Sequence, residues 1–177
     1  MIHQDTIELL RECDAGIQMG VSSIADVLPH VQSDTFLALL ETCQTEHEKL
    51  AREITKALDR FQDSGKAPSM MARGMSAMKT GLEMAVSPTD ATIADLMTDG
   101  CNMGVKSLSR YLNQYEAADE HAKDIAKRLI HLEAQLAADI RGYLSCAKRR
   151  TSVPTNSMTF IRLGAVKRAA MRSSYFS

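Results

Sequence analysis

IELLRECDAGIQMGVSSIADVL, residues Ile7–Leu28, is the stretch that decides the fold class. Ile7, Leu10, Asp14, Ile17, Val21, Ile24 and Leu28 follow one another at alternating steps of three and four, which places them on one face of an α-helix. A half-buried strand would alternate every second residue, and no part of the chain does so. Pro29 closes this segment, and Ser33 or Asp34 can cap a second helix. Its seam reads Phe36, Leu40, Cys43, His47, Leu50, Ile54, Ala57 and Phe61, ending at Asp63-Ser64-Gly65-Lys66.

The rest of the chain repeats the pattern. A shorter helical stretch covers about 69–86 before Ser87-Pro88-Thr89 breaks it. Thr89 or Asp90 then opens a long helix with Ile93, Met97, Gly100, Gly104, Leu108, Tyr111 and Tyr115 on one face. A joint near 117–119 leads to a last helix carrying Ile125, Leu129, Leu132, Leu136, Ile140 and Tyr143. The short joints at 29–33 and 116–119 require antiparallel hairpins, whereas 64–88 is long enough to run the length of a bundle. The expected fold is all-α: a four-helix bundle of two antiparallel hairpins joined by a long helical crossover, the ferritin-like arrangement.

An internal echo supports two related halves. Ala15-Gly16-Ile17-Gln18-Met19-Gly20-Val21-Ser22-Ser23-Ile24 aligns with Asp99-Gly100-Cys101-Asn102-Met103-Gly104-Val105-Lys106-Ser107-Leu108, sharing two glycines, a methionine, a valine and a serine. Shifted by a similar interval, the second helix maps onto the last, setting Cys43 on Leu129, His47 on Glu133, Leu50 on Leu136 and Ile54 on Ile140.

Composition bounds the function. The chain has 177 residues, 45% of them hydrophobic, with 9 Gly, 4 Pro and a formal charge of −1. A chain disordered throughout, collagen and a disulfide-rich mini-protein are excluded. The charge is unevenly divided: 1–147 hold 14 basic and 22 acidic residues, while 148–177 hold seven basic and no acidic ones. The expected organisation is a bundle over 1–147 and a basic, disordered tail over 148–177. The tail is a candidate contact for anionic membrane or RNA. Met1-Ile2-His3-Gln4-Asp5-Thr6 has no signal-peptide character, and no apolar run suits a membrane span. Cys13, Cys43, Cys101 and Cys146 form no C-x-x-C pair, which fits reduced thiols in a cytoplasmic protein.

Two polar residues, Asp14 and His47, stand in otherwise apolar seams. Reflection about the first turn sets them level, so the favoured reading is a buried pair in which His47 donates to the Asp14 carboxylate and fixes the register. Helical bundles build di-iron centres from two carboxylates and two Glu-x-x-His pairs. That set is missing here, since Gln44-x-x-His47 offers an amide and Glu133 has Leu136 three residues on. The remaining candidate is one metal ion, zinc or iron, held by Asp14, His47, Cys101 and Glu133, a mixed nitrogen, oxygen and sulfur set that suits zinc. No phosphate loop or nucleophile motif is present, so neither a catalytic set nor a specific small-molecule substrate is evident. Met71, Met75, Met78 and Leu82 read as a gap-filling face of the crossover.

The layout of residues 4–146, with Ala72-Arg73-Gly74-Met75-Ser76-Ala77-Met78-Lys79 in the crossover, resembles the bacterial ferritin-like proteins related to rubrerythrin and bacterioferritin. The resemblance implies the fold, iron chemistry, and a Gly-Glu step at the centre of the first and third long helices. Gly16-Ile17 and Gly100-Cys101 stand at those steps, so both implied ligand carboxylates are absent. The expected protein is a non-catalytic, self-associating ferritin-like bundle with no cofactor. Its alternatives are a divergent metal-binding protein and an adaptor acting through the basic tail.

Overall fold

A computed structural model describes residues 2–63, 65 and 88–144. Among them the chain is all-α, with four long helices and no strand: α1 (Ile2–Val27), α2 (Asp34–Asp59), α3 (Asp90–Gln114) and α4 (Glu120–Asp139). The helix starts follow the capping chemistry that the sequence announces. Ser33 accepts from the Phe36 amide, Thr89 from that of Thr92 and Asp119 from that of Ala122, each satisfying an amide that the first turn leaves free. Pro29 sits at the start of a 3-10 turn, Leu28–His30, that ends the run of α1. The second helix stops at Asp59, four residues short of the expected Asp63, and the chain leaves it through tight turns in which Phe61 and Asp63 both donate to the Leu58 carbonyl.

Side-chain-to-backbone bonds fix the direction of the helices. The Asp90 carboxylate accepts from the amides of Gln32 (2.8 Å) and Ser33 (3.0 Å), so α3 starts at the end where α1 turns into α2. At the opposite end Asp5 accepts from Ala117 at 3.2 Å, and Thr6 Oγ1 from Asp119 at 2.9 Å. The foot of α2 lies at that same end, where Phe61 meets His3 edge to face and Asp63 accepts from Nε and Nη2 of Arg11. Hence α2 and α3 run in the same direction, each antiparallel to the helix it pairs with in its hairpin. The chain leaves α2 at one end of the bundle and enters α3 at the other. The expected crossover, 64–88 with its methionine face, lies almost wholly outside the described residues, as do Cys146 and the basic tail.

The core divides into two blocks along the bundle. One gathers Leu9, Leu10, Cys13, Ile17, Leu50, Ile54, Leu108, Ile125 and Leu129; the other gathers Ile24, Phe36, Leu40, Cys43, Ile93, Met97, Leu136 and Ile140. Burying each large aliphatic side chain contributes about 1.5–3 kcal/mol, so these blocks supply most of the drive to assemble. Tyr143, in the 3-10 turn Ile140–Tyr143 that follows α4, closes the second block by stacking on Phe36 at 4.3 Å between centroids. Between the blocks lies a thin polar layer. No helix among the described residues is long and apolar enough to cross a membrane.

Candidate functional site

His47 and Glu133 form the polar layer. His47 is fully buried and Glu133 nearly so, and Nε2 of the imidazole lies 3.3 Å from Glu133 Oε1. The other ring nitrogen, Nδ1, stands 2.8 Å from the Cys43 carbonyl oxygen, which can only accept, so Nδ1 carries a proton. Cys43 Sγ is 3.4 Å from the same nitrogen. With Nδ1 protonated and Nε2 facing a carboxylate, the ring is held as an imidazolium. Burial opposes that charge, but the bonds to Cys43 and Glu133 outweigh it and raise the His47 pKa to about 10. The Cys101 thiol also bonds to Glu133; burial first, then the carboxylate's charge, push its pKa far up, so it stays S–H.

Backbone shape makes room for this pair. A Cβ on Gly20 of α1 would meet His47 Cδ2 at 2.8 Å and Nε2 at 3.0 Å, so only glycine lets the ring lie against α1. A Cβ on Gly104 of α3 would meet the Glu133 side chain at 3.5 Å, an ordinary contact. The glycines, the histidine and the glutamate thus come one from each helix.

The expected Asp14–His47 pair does not form. Asp14 accepts from Gln18 Nε2 at 2.7 Å and lies under Gly65, whose Cβ would stand 2.5 Å from Asp14 Oδ2. Gly65 has φ of +77°, so both its conformation and this close approach call for glycine. The reason for the mispairing is directional. Side chains lean toward the N-terminus of their own helix, so level residues on antiparallel helices lean apart. His47 leans one turn back over Cys43, toward Gly20, while Asp14 leans the other way. Cys13, beside it, is wholly buried, and its thiol pKa is raised to about 12 by burial and by its neighbours Glu12 and Asp14.

Of the four candidate metal ligands, His47, Cys101 and Glu133 therefore converge and Asp14 stands apart. The donor set does not fit a di-iron centre, because its one carboxylate is already matched by an imidazolium. Among the described residues no group of three or more His, Cys, Asp or Glu side chains is arranged to hold a metal ion. Cys43 sits on the Nδ1 side of the ring and Glu133 on the Nε2 side, so the ring separates them.

Sequence reasoning did not pair His47 with Glu133, although a signal for it existed. The two occupy matching positions in the internal echo, and groups at matching positions beside a twofold axis face each other. Ion pairs elsewhere lash the helices at the surface. Arg128 grips Glu53 with both terminal nitrogens, at 2.9 and 2.8 Å, and Arg11 grips Asp63 at 3.0 and 2.6 Å. Each arginine holds its carboxylate below the usual range. No protein-family model matches the chain, and no curated protein or solved structure matches it either.

Proposed function

We propose that the protein is a non-catalytic ferritin-like bundle that self-associates, and whose mid-bundle layer is a structural acid–base pair in place of a di-iron centre. The observation that carries this reading is the His47–Glu133 contact, with both groups buried and each facing a glycine of its own hairpin. The shared direction of α2 and α3 supports a ferritin-like crossover, since such a connection has to traverse the bundle. A buried, satisfied pair of this kind selects one register among the ways two similar hairpins could meet. Elemental analysis of the purified protein tests the reading: less than stoichiometric iron is expected, and two iron ions per chain would overturn it.

One observation favours a second reading, a mononuclear zinc or iron site that His47, Glu133 and Cys101 would form on losing the His47 Nε2 proton and drawing together from the arrangement described. His47 gives its Nδ1 proton to the Cys43 carbonyl, the outer bond that commonly orients a ligating imidazole. In that case His47→Ala abolishes metal binding, and unchanged stoichiometry in the variant rules the site out. The separation of charge between 1–147 and 148–177 supports a third reading, an adaptor that contacts anionic membrane or RNA through its tail. Equal retention on anionic liposomes and RNA after deletion of 148–177 would end it.

A further inference from the structure

Among the described residues the space between α1 and α3 is not closed by packing. Small residues facing each other across two helices ordinarily let the backbones approach. Here Gly16 and Gly20 of α1 face Gly100 and Gly104 of α3, yet a groove of about 150 Å³ remains between them. A cavity of about that size in a protein core accepts a benzene-sized molecule. Its walls are soft and mainly apolar: Met19, Met97, Met103 and the Tyr111 ring line it. Thioethers adapt to a flat partner and make favourable contacts with aromatic rings. Met103 is the one large hydrophobic side chain exposed among the described residues, at 51%, and it stands in this lining.

The floor is polar. Glu133 lines the groove with 11% of its side chain accessible. A carboxylate offers about four acceptor positions. Glu133 engages a long 3.3 Å bond from His47 and the Cys101 thiol, which leaves it acceptor capacity. Because the imidazolium already balances its charge, an added cation gains little there; Arg110 also lines the groove but lies 5.4 Å over the Tyr111 ring, so an anion that reaches the floor meets a carboxylate. A neutral donor matches both constraints.

We propose that this groove binds a small, neutral, flat aromatic molecule whose single N–H or O–H group donates to Glu133 while its ring lies between the methionines. The site rests on the structural reading of the His47–Glu133 pair, since a metal held there would occupy the Glu133 oxygens, and elemental analysis tells failure of that reading from failure of this one.

The test uses the full chain labelled with methyl-¹³C methionine, titrated with indole and, in parallel, with benzofuran, which has the same shape and no donor. Saturable shifts at the Met19, Met97 and Met103 methyls are expected, with indole binding about tenfold tighter, the value of one buried hydrogen bond. Gly100→Leu fills the groove and should remove indole binding. Met103→Trp, at an exposed position, serves the same purpose if the first variant fails to fold. Three results would overturn the proposal: no saturable shift, equal affinity for the two probes, or indole binding that survives the filling variants. So would cross-relaxation between the Met103 methyl and those of Met71, Met75 or Met78 in the free protein, since the groove would then be filled by the chain itself.

Discussion

The two hairpins place matching residues at the same point of the bundle and fill it with opposite chemistry. The first brings Gly20 and His47, the second Gly104 and Glu133, and the two side chains meet between them. Identical halves would bring two like groups together, two imidazoliums or two carboxylates, at a separation where burial makes repulsion severe. One acid and one base turn that contact into a bond. The glycines differ in the same sense: Gly20 has no room for a methyl group against the rigid imidazole, whereas Gly104 has room beside the more flexible glutamate side chain. At the centre of the bundle the halves thus differ in the charge of the matched residue, while seam positions such as Leu50 and Leu136 or Ile54 and Ile140 correspond.

Breaking one half of the pair should give the largest effect. His47→Ala leaves Glu133 buried without its countercharge and should cost about 3–5 kcal/mol in chemical denaturation. The double replacement His47→Leu with Glu133→Met removes both charges and should recover most of that loss, because a well-packed apolar pair is often as stable as a buried ion pair. If the double variant is as unstable as the single one, the two residues do not act as a pair.

Titration breaks the same contact reversibly. The folded-state pKa of His47 lies above its unfolded value near 6.5, so the folded chain holds a proton that the unfolded chain releases. The resulting stability is fully present below about pH 6.5 and is lost as pH rises through about 10. The slope should approach about 1.4 kcal/mol per pH unit between roughly pH 7 and 8, below the thiol range. Denaturation curves across that interval measure it, and the slope should disappear in the double variant.

Gly20→Ala should destabilise by about 1–3 kcal/mol, since the added methyl must displace a packed ring. It should also move the imidazole resonances in an NMR spectrum. Gly104→Ala, the matching change in the other hairpin, should stabilise by about 0.5–1 kcal/mol, because α3 gains helix propensity and the new methyl makes an ordinary contact. Equal effects at the two positions would show that the hairpins are more alike at their centre than the geometry indicates.

Much of the fold was legible because helical burial is periodic. On α2, Phe36, Leu40, Cys43, His47, Leu50, Ile54 and Ala57 are all buried as the seam requires, while Phe61, in the turn beyond the helix, is partly open. The caps Ser33 and Thr89 were among the residues expected. Legibility was lower on α1, where Leu9, Cys13 and Val27 are buried while Ile7, Val21 and Leu28 are partly open. That helix touches neighbours on several sides, so no single narrow stripe describes its buried face. In α4 a carboxylate, Glu133, is buried beside the aliphatic seam and Leu132 is partly open, which a hydrophobic pattern alone reads the other way.

By itself the sequence determined that this chain is helical, where α2 and α3 begin, and that polar groups interrupt an apolar interior. Those are local properties, set by capping atoms and by residues three or four apart. Which polar groups meet was decided only by the tertiary structure. Side-chain lean, helix rotation and the glycine gaps are relations between helices, and they join His47 to Glu133 across 86 residues while turning Asp14 toward Gln18 and Gly65.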